Sequence, residues 1–182
     1  MRRFTLLAGV LLIIGLAAIT ASARGANPTV KHFSDSGTFT DNDFCGTGET
    51  VNGTFAVKGT EWLTPNQADY RNTSEGNNTF TNPVNGAAII VHFAGPFIAN
   101  VISFNPDGGD TELDTFKGLP EQIKTIHGGM LSRDAGYLTF LRTFDADGNL
   151  VSSVPVVQKG PHPDSDSDFQ LFCEVAVPAL GL

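Results

Sequence analysis

Most of the familiar catalytic signatures are missing from this chain. It has no Gly-x-Ser-x-Gly, no His-Glu-x-x-His, no Cys-x-x-Cys and no Gly-x-x-x-x-Gly-Lys. That removes the nucleophile elbow, the zinc-protease helix, the dithiol redox pair and the phosphate-cradling loop. Basic residues are scarce: 11 Lys and Arg stand against 19 Asp and Glu, for a formal net charge of −8. Such a surface repels phosphate, so neither nucleic acid nor an anionic membrane is an expected partner. Tyr and Trp are nearly absent, at 2 and 1, while Phe numbers 14. An exposed Trp or Tyr platform for sugars is therefore not expected, and the Phe set suits a core or the lining of an apolar cavity. Trp62 is the one residue that could serve as a platform, or equally as a core anchor. No long amphipathic helical pattern appears.

What is present begins with a leader. Arg2 and Arg3 precede an uncharged run, Leu6 to Ile19, and Ala21-Ser22-Ala23 follows. This is the three-part layout of a secretory signal, cleaved after Ala23. The run is shorter than the roughly 20 apolar residues a membrane-spanning helix needs. The expectation is a signal peptide over residues 1–23 and one secreted domain over residues 24–182, with no membrane association after cleavage. Losing Arg2 and Arg3 takes the formal charge from −8 to −10. Cys45 and Cys173 are the only cysteines. In an exported chain they predict a disulfide, and so an oxidising, extracellular destination.

Short β-branched and aromatic runs punctuated by Gly, Pro, Asn and Asp predict an all-β domain of about 8 to 10 antiparallel strands. Ala87–Ala94 is the clearest, with Ile89, Val91 and Phe93 on one face and Ile90 and His92 on the other. Phe169–Val177 alternates with period two and reads as the last strand, carrying Cys173. Asn105–Gly109 and Asp145–Asn149 read as hairpin turns, since Asp-Gly supplies the positive φ they need. Further strands are expected near Thr29–Thr40 and Thr50–Thr60. Thr64–Asn77 is polar and reads as a long surface loop or a ragged hairpin. Leu119-Pro120-Glu121-Gln122 could open one helical turn. Sequential hairpins suggest a single meander. A bridge between the two ends of the chain favours closing that meander as a barrel, with a two-sheet β-sandwich as the alternative.

The stretch Phe80-Thr81-Asn82-Pro83-Val84-Asn85-Gly86, then Ile89 to Phe93 and Gly95-Pro96, resembles secreted β-rich actinobacterial proteins of unknown function. Gly160-Pro161-His162-Pro163 leading to Phe169-Gln170-Leu171-Phe172-Cys173 adds to the likeness. The resemblance spans most of the chain after the leader. It implies export and β structure, and no site residues.

Three places could carry chemistry. His92, inside the most apolar strand, could act as an acid/base or orient a ligand in a barrel interior; a buried imidazole with a hydrogen-bond partner is the plainer account. Arg142, between Phe140 and Phe144, could orient an anion, or reach water from a strand edge. Asp164, Asp166 and Asp168 space three carboxylates that could collect Ca²⁺; a solvated acidic loop with no cofactor is the favoured reading. Asp145, Asp147 and Asn149 depart from the EF-hand pattern and read as a plain turn. The expected function is a non-catalytic binding or structural module for a small apolar ligand or a protein partner. The alternative is an extracellular isomerase- or hydrolase-type enzyme using His92 and Arg142.

Overall fold

The structure, a computed structural model, describes residues 28–63, 69–167 and 170–182. The predicted signal peptide lies outside them, as do Asp168 and Phe169. The described chain forms seven strands: β1 (Thr29–Asp41), β2 (Val51–Leu63), β3 (Asp69–Thr81), β4 (Ala88–Phe104), β5 (Asp110–Thr125), β6 (Met130–Phe144) and β7 (Leu150–Lys159). They make one antiparallel sheet in sequence order. A 3-10 turn, Phe44–Gly46, joins β1 to β2, and α1 (Pro163–Asp166) and α2 (Gln170–Leu180) follow β7.

The meander is as expected; its closure is not. Among the described residues β1 pairs only with β2 and β7 only with β6, so the sheet is open rather than a barrel. No second sheet faces it among the described residues, so it is not a sandwich either. The inference from the disulfide failed at a specific point. Cys45 and Cys173 are bonded, with Cα atoms 5.6 Å apart, but neither lies on a strand. Cys45 sits in the 3-10 turn and Cys173 in α2. The bridge fastens a helix onto the sheet and does not set the first strand beside the last. Phe169–Val177 is mostly apolar, so period two and a helical period both fit it. The helix wins because Ala176 and Leu180, one turn apart, bury fully against the sheet. Gly181, with φ +66°, ends it.

Two further expectations are corrected. Of the polar segment read as a loop or ragged hairpin, residues 69–77 belong to the regular strand β3, paired along its length with β2 and β4. Its polar side chains match those of its neighbours, as in Thr60 opposite Thr73 and Lys58 opposite Glu75, whose ions are 2.8 Å apart. The Leu119–Gln122 segment is not helical but an irregularity in β5, where the register to β6 shifts between Gly118 and Glu121. The two hairpin turns fall where the sequence placed them. In the second, Asp145 Oδ1 accepts the N–H of Asp147 and of Asn149, at 3.0 and 2.8 Å. That explains the Asp-x-Asp-x-Asn run without a metal.

The register sorts side chains onto two faces. Phe39, Val51, Phe80, Ile89, Val91 and Ile123 share the face on which α2 lies, and with Phe44, Ala176 and Leu180 they form the core. The opposite face carries His32, Lys58, Glu75, Asn77 and His92, with Ile90 and Ile98 of β4 among them. Trp62 is there too, half-buried, with the Arg71 guanidinium 5.2 Å from its ring centre.

A line of glycines divides the sheet crosswise. Gly95, Gly118, Gly136 and Gly160 have φ between +93° and +144° and sit side by side on β4, β5, β6 and just past β7. A Cβ at Gly95 would strike the Lys117 carbonyl oxygen, and one at Gly136 the Lys159 carbonyl oxygen. Only glycine allows this conformation and approach, which kinks long strands together. On one side of the line α2 caps the sheet. On the other the sheet face is open, and β7 pairs only with that half of β6.

Candidate functional site

The open half carries an aromatic rank on the α2 face. Tyr70, Phe97, Phe116 and Phe140 come from β3, β4, β5 and β6, with ring centres 6.1, 4.8 and 6.3 Å apart in succession. The register makes this rank: Phe97 is opposite Phe116, and Asp114, two residues from Phe116, is opposite Phe140.

Polar groups are set into it from the same face. Arg142 Nη1 donates to Asp114 Oδ2 at 3.0 Å, and its guanidinium lies 5.5 and 5.2 Å from the centres of Phe116 and Phe140. Asp114 is 2% exposed. Glu112, opposite Arg142, adds a second carboxyl. Burial, then the neighbouring Asp114 and Asp110 charges, push Glu112 up to about 7. Burial also raises Asp114, against the pull of Arg142. Asp114 Oδ1 has no donor in the protein; a proton kept on Glu112, its hydrogen-bond neighbour, is the donor at hand. At the other end of the rank, Asn72 Nδ2 donates to the Tyr70 hydroxyl at 3.1 Å, which donates to Glu61 Oε2 at 3.4 Å.

Among the described residues, six buried side-chain atoms have no hydrogen-bond partner, and they fall in two places. Asn72 Oδ1, Asp114 Oδ1 and Arg142 Nε belong to the aromatic rank. Glu121 Oε1, Ser132 Oγ and His162 Nδ1 lie where α1 meets the glycine line. There Asp134 accepts the backbone N–H of Asp164 and Ser165, each at 3.0 Å, and the Ser165 hydroxyl at 2.7 Å. Asp164 Oδ1 in turn accepts the Phe172 N–H. Glu121 is pushed up to about 8 by burial and by the Asp164 and Asp134 carboxylates, so at neutral pH it holds a proton and donates to Asp164. This second cluster latches α1 and α2 onto the sheet.

The sequence candidates are scattered by this geometry. Arg142 is in the aromatic rank. His92 is on the opposite face, half-buried, with its Nδ1 2.9 Å from Asn77 Oδ1. It is level with Arg133 on β6 through Gln122, nine residues from Arg142 and so about 30 Å away along the strand. There is no barrel interior for it to enter; it borders an open groove of about 460 Å³ with Ser36, Lys58, Glu75 and Asn77. Asp164 is buried in the latch and Asp166 is exposed; Asp168 is outside the described residues. Among those residues no three His, Cys, Asp or Glu side chains are grouped to hold a metal.

The residues missed by sequence reasoning are Glu61, Tyr70, Asn72, Phe97, Glu112, Asp114 and Phe116. One signal was available: Asp110, Glu112, Asp114 and Phe116 alternate at period two, putting three carboxylates and an aromatic on one face of β5. No family model matches the chain, nor does any curated protein or solved structure. The disulfide indicates folding in an oxidising compartment, and no described helix is long and apolar enough to cross a membrane.

Proposed function

We propose that the protein is a secreted binding module that takes a small, largely apolar ligand on the aromatic rank. The observation that carries this is the convergence, on one open face, of four adjoining aromatic side chains with two buried polar atoms lacking partners, Asn72 Oδ1 and Arg142 Nε. A flat apolar body would lie on Phe97 and Phe116. A polar group at one end of that molecule would meet Arg142 Nε as donor, and one at its other end Asn72 Oδ1 as acceptor, the usual division of labour in small-molecule sites. An acid/base enzyme working on the same residues is a second reading. It is favoured by one observation: a carboxyl poised at about 7 beside a guanidinium.

A naphthalene sulfonate probe tests the site. We expect saturable fluorescence enhancement, weakened about tenfold or more by Phe97→Ala and by Arg142→Met. The affinity should titrate near pH 7, and Glu112→Gln should remove that titration. Unchanged affinity in the Phe97 and Arg142 variants would overturn the assignment.

A further inference from the structure

The two edges of the sheet are built differently. β7 is irregular: its register to β6 shifts at Val156 and again at Val151, and Pro155 lies between them. Bulges and proline are the usual means of keeping an edge from pairing with another chain. β1 has neither. Its 13 residues pair with β2 without a single shift, and it is exposed along most of its length.

Which groups β1 turns outward follows from one hydrogen bond. The Asn82 N–H donates to the Ala87 carbonyl at 2.9 Å, which makes Thr81 and Ala88 a non-hydrogen-bonded pair in the β3–β4 ladder. Alternation through the unshifted ladders then leaves the odd-numbered β1 residues bonding β2. The even-numbered ones, from Val30 to Thr40, direct N–H and C=O away from the sheet.

We propose that β1 is a dimerisation edge that pairs antiparallel with β1 of a second copy about Ser36, joining two sheets into one. In that register Ser36 meets its own copy. Ser34 meets Thr38, and His32 meets Thr40, through the outward backbone groups. On the face that carries α2, Phe33 comes opposite Phe39 and Lys31 opposite Asp41, each twice by symmetry. The strand is thus self-complementary in both aromatic and charged pairs. Centred one residue earlier, the two Asp35 carboxylates would be face to face, so charge selects the register.

Sedimentation velocity on the secreted, disulfide-intact chain should show a concentration-dependent dimer. The Ser36 N–H bonds the exposed Asp35 carboxylate, at 2.8 Å, and not β2, and pairing with a second copy exchanges that local bond for one between chains; Ser36→Pro should therefore leave the fold intact by circular dichroism and give monomer. Lys31 Nζ also lies 3.9 Å from Glu61 Oε1 of its own chain, so the charge test rests on the pair of changes: Lys31→Glu should weaken the dimer about tenfold, and adding Asp41→Lys should restore it. Ser36→Cys should crosslink to its own copy under mild oxidation. A chain that is monomeric at all concentrations overturns the proposal. So does a dimer that Ser36→Pro leaves unchanged, or one that Lys31→Glu weakens and Asp41→Lys fails to rescue.

Discussion

On the capped half of the sheet, Phe39, Val51, Phe80, Ile89, Val91 and Ile123 meet α2 and the 3-10 turn, and no charged side chain stands among them. On the open half the same strands, on the same face, carry Tyr70, Phe97, Phe116 and Phe140 with Glu61, Glu112, Asp114 and Arg142 set between them. The capped half has a second layer to bury against, so aliphatic residues gain fully from leaving water. The open half has none, and its aromatic rings shield one another and an ion pair instead. Stability is therefore concentrated on one side of the glycine line. The buried groups with unmet hydrogen-bonding capacity lie at the line and beyond it.

Breaking the cap should have the largest effect. Replacing Cys45 and Cys173 with Ser releases a 128-residue closure, worth up to about 5 kcal/mol. Calorimetry should show the melting temperature falling by about 10 °C, with amide exchange rising first in α2. A loss of under about 2 °C would mean that α2 is held by packing alone.

Cutting one ring from each half compares them directly. Phe80 touches Phe39, Phe44 and Phe172 and is fully enclosed, so Phe80→Ala should cost about 3–4 kcal/mol. Phe116 is only half-buried, and Phe116→Ala should cost about 1–2 kcal/mol. Urea denaturation measures both. Equal losses would erase the distinction between the halves.

The latch sharpens the comparison by pH. An ordinary Glu titrates near 4.5, and folded Glu121 near 8. Between those values the folded protein holds a proton that the unfolded chain has released. Stability must then fall as pH rises across that window and level off above it. Glu112 acts in the same direction up to about 7. The melting temperature at pH 8 should sit about 3–5 °C below that at pH 5. Glu121→Gln keeps a donor for Asp164 without the titration, and should flatten most of the slope. A wild-type melting temperature that rises over this range would contradict the shared proton.

The strand content was legible where alternation and turn chemistry agree. Ala87–Ala94, the Asn105–Gly109 and Asp145–Asn149 turns and the early strands all follow from local residues. β3 was not, because a strand paired on both sides can be polar on both faces when its neighbours match it, and that match shows only once the register is known. α2 was misread because an almost wholly apolar run carries no period. Closure was misjudged because a disulfide reports proximity of two residues and not of two strands. The aromatic rank was invisible for the same reason as β3. Tyr70, Phe97, Phe116 and Phe140 become neighbours only through register, and the glycine-line irregularities at Gly118 and Glu121 shift that register in ways local pattern does not encode.

The position of Cys45 has a mechanical side. It follows β1, so the covalent ring closed with Cys173 contains β2 to β7 and leaves β1 outside. Tension drawn from the amino end can peel β1 from β2 pair by pair, but it then reaches a linkage that no thermal fluctuation opens. The remaining six strands cannot be lengthened from either terminus while that link is intact. The molecule behaves as an inextensible body on a short, detachable tether, and the tether is the strand with the free edge.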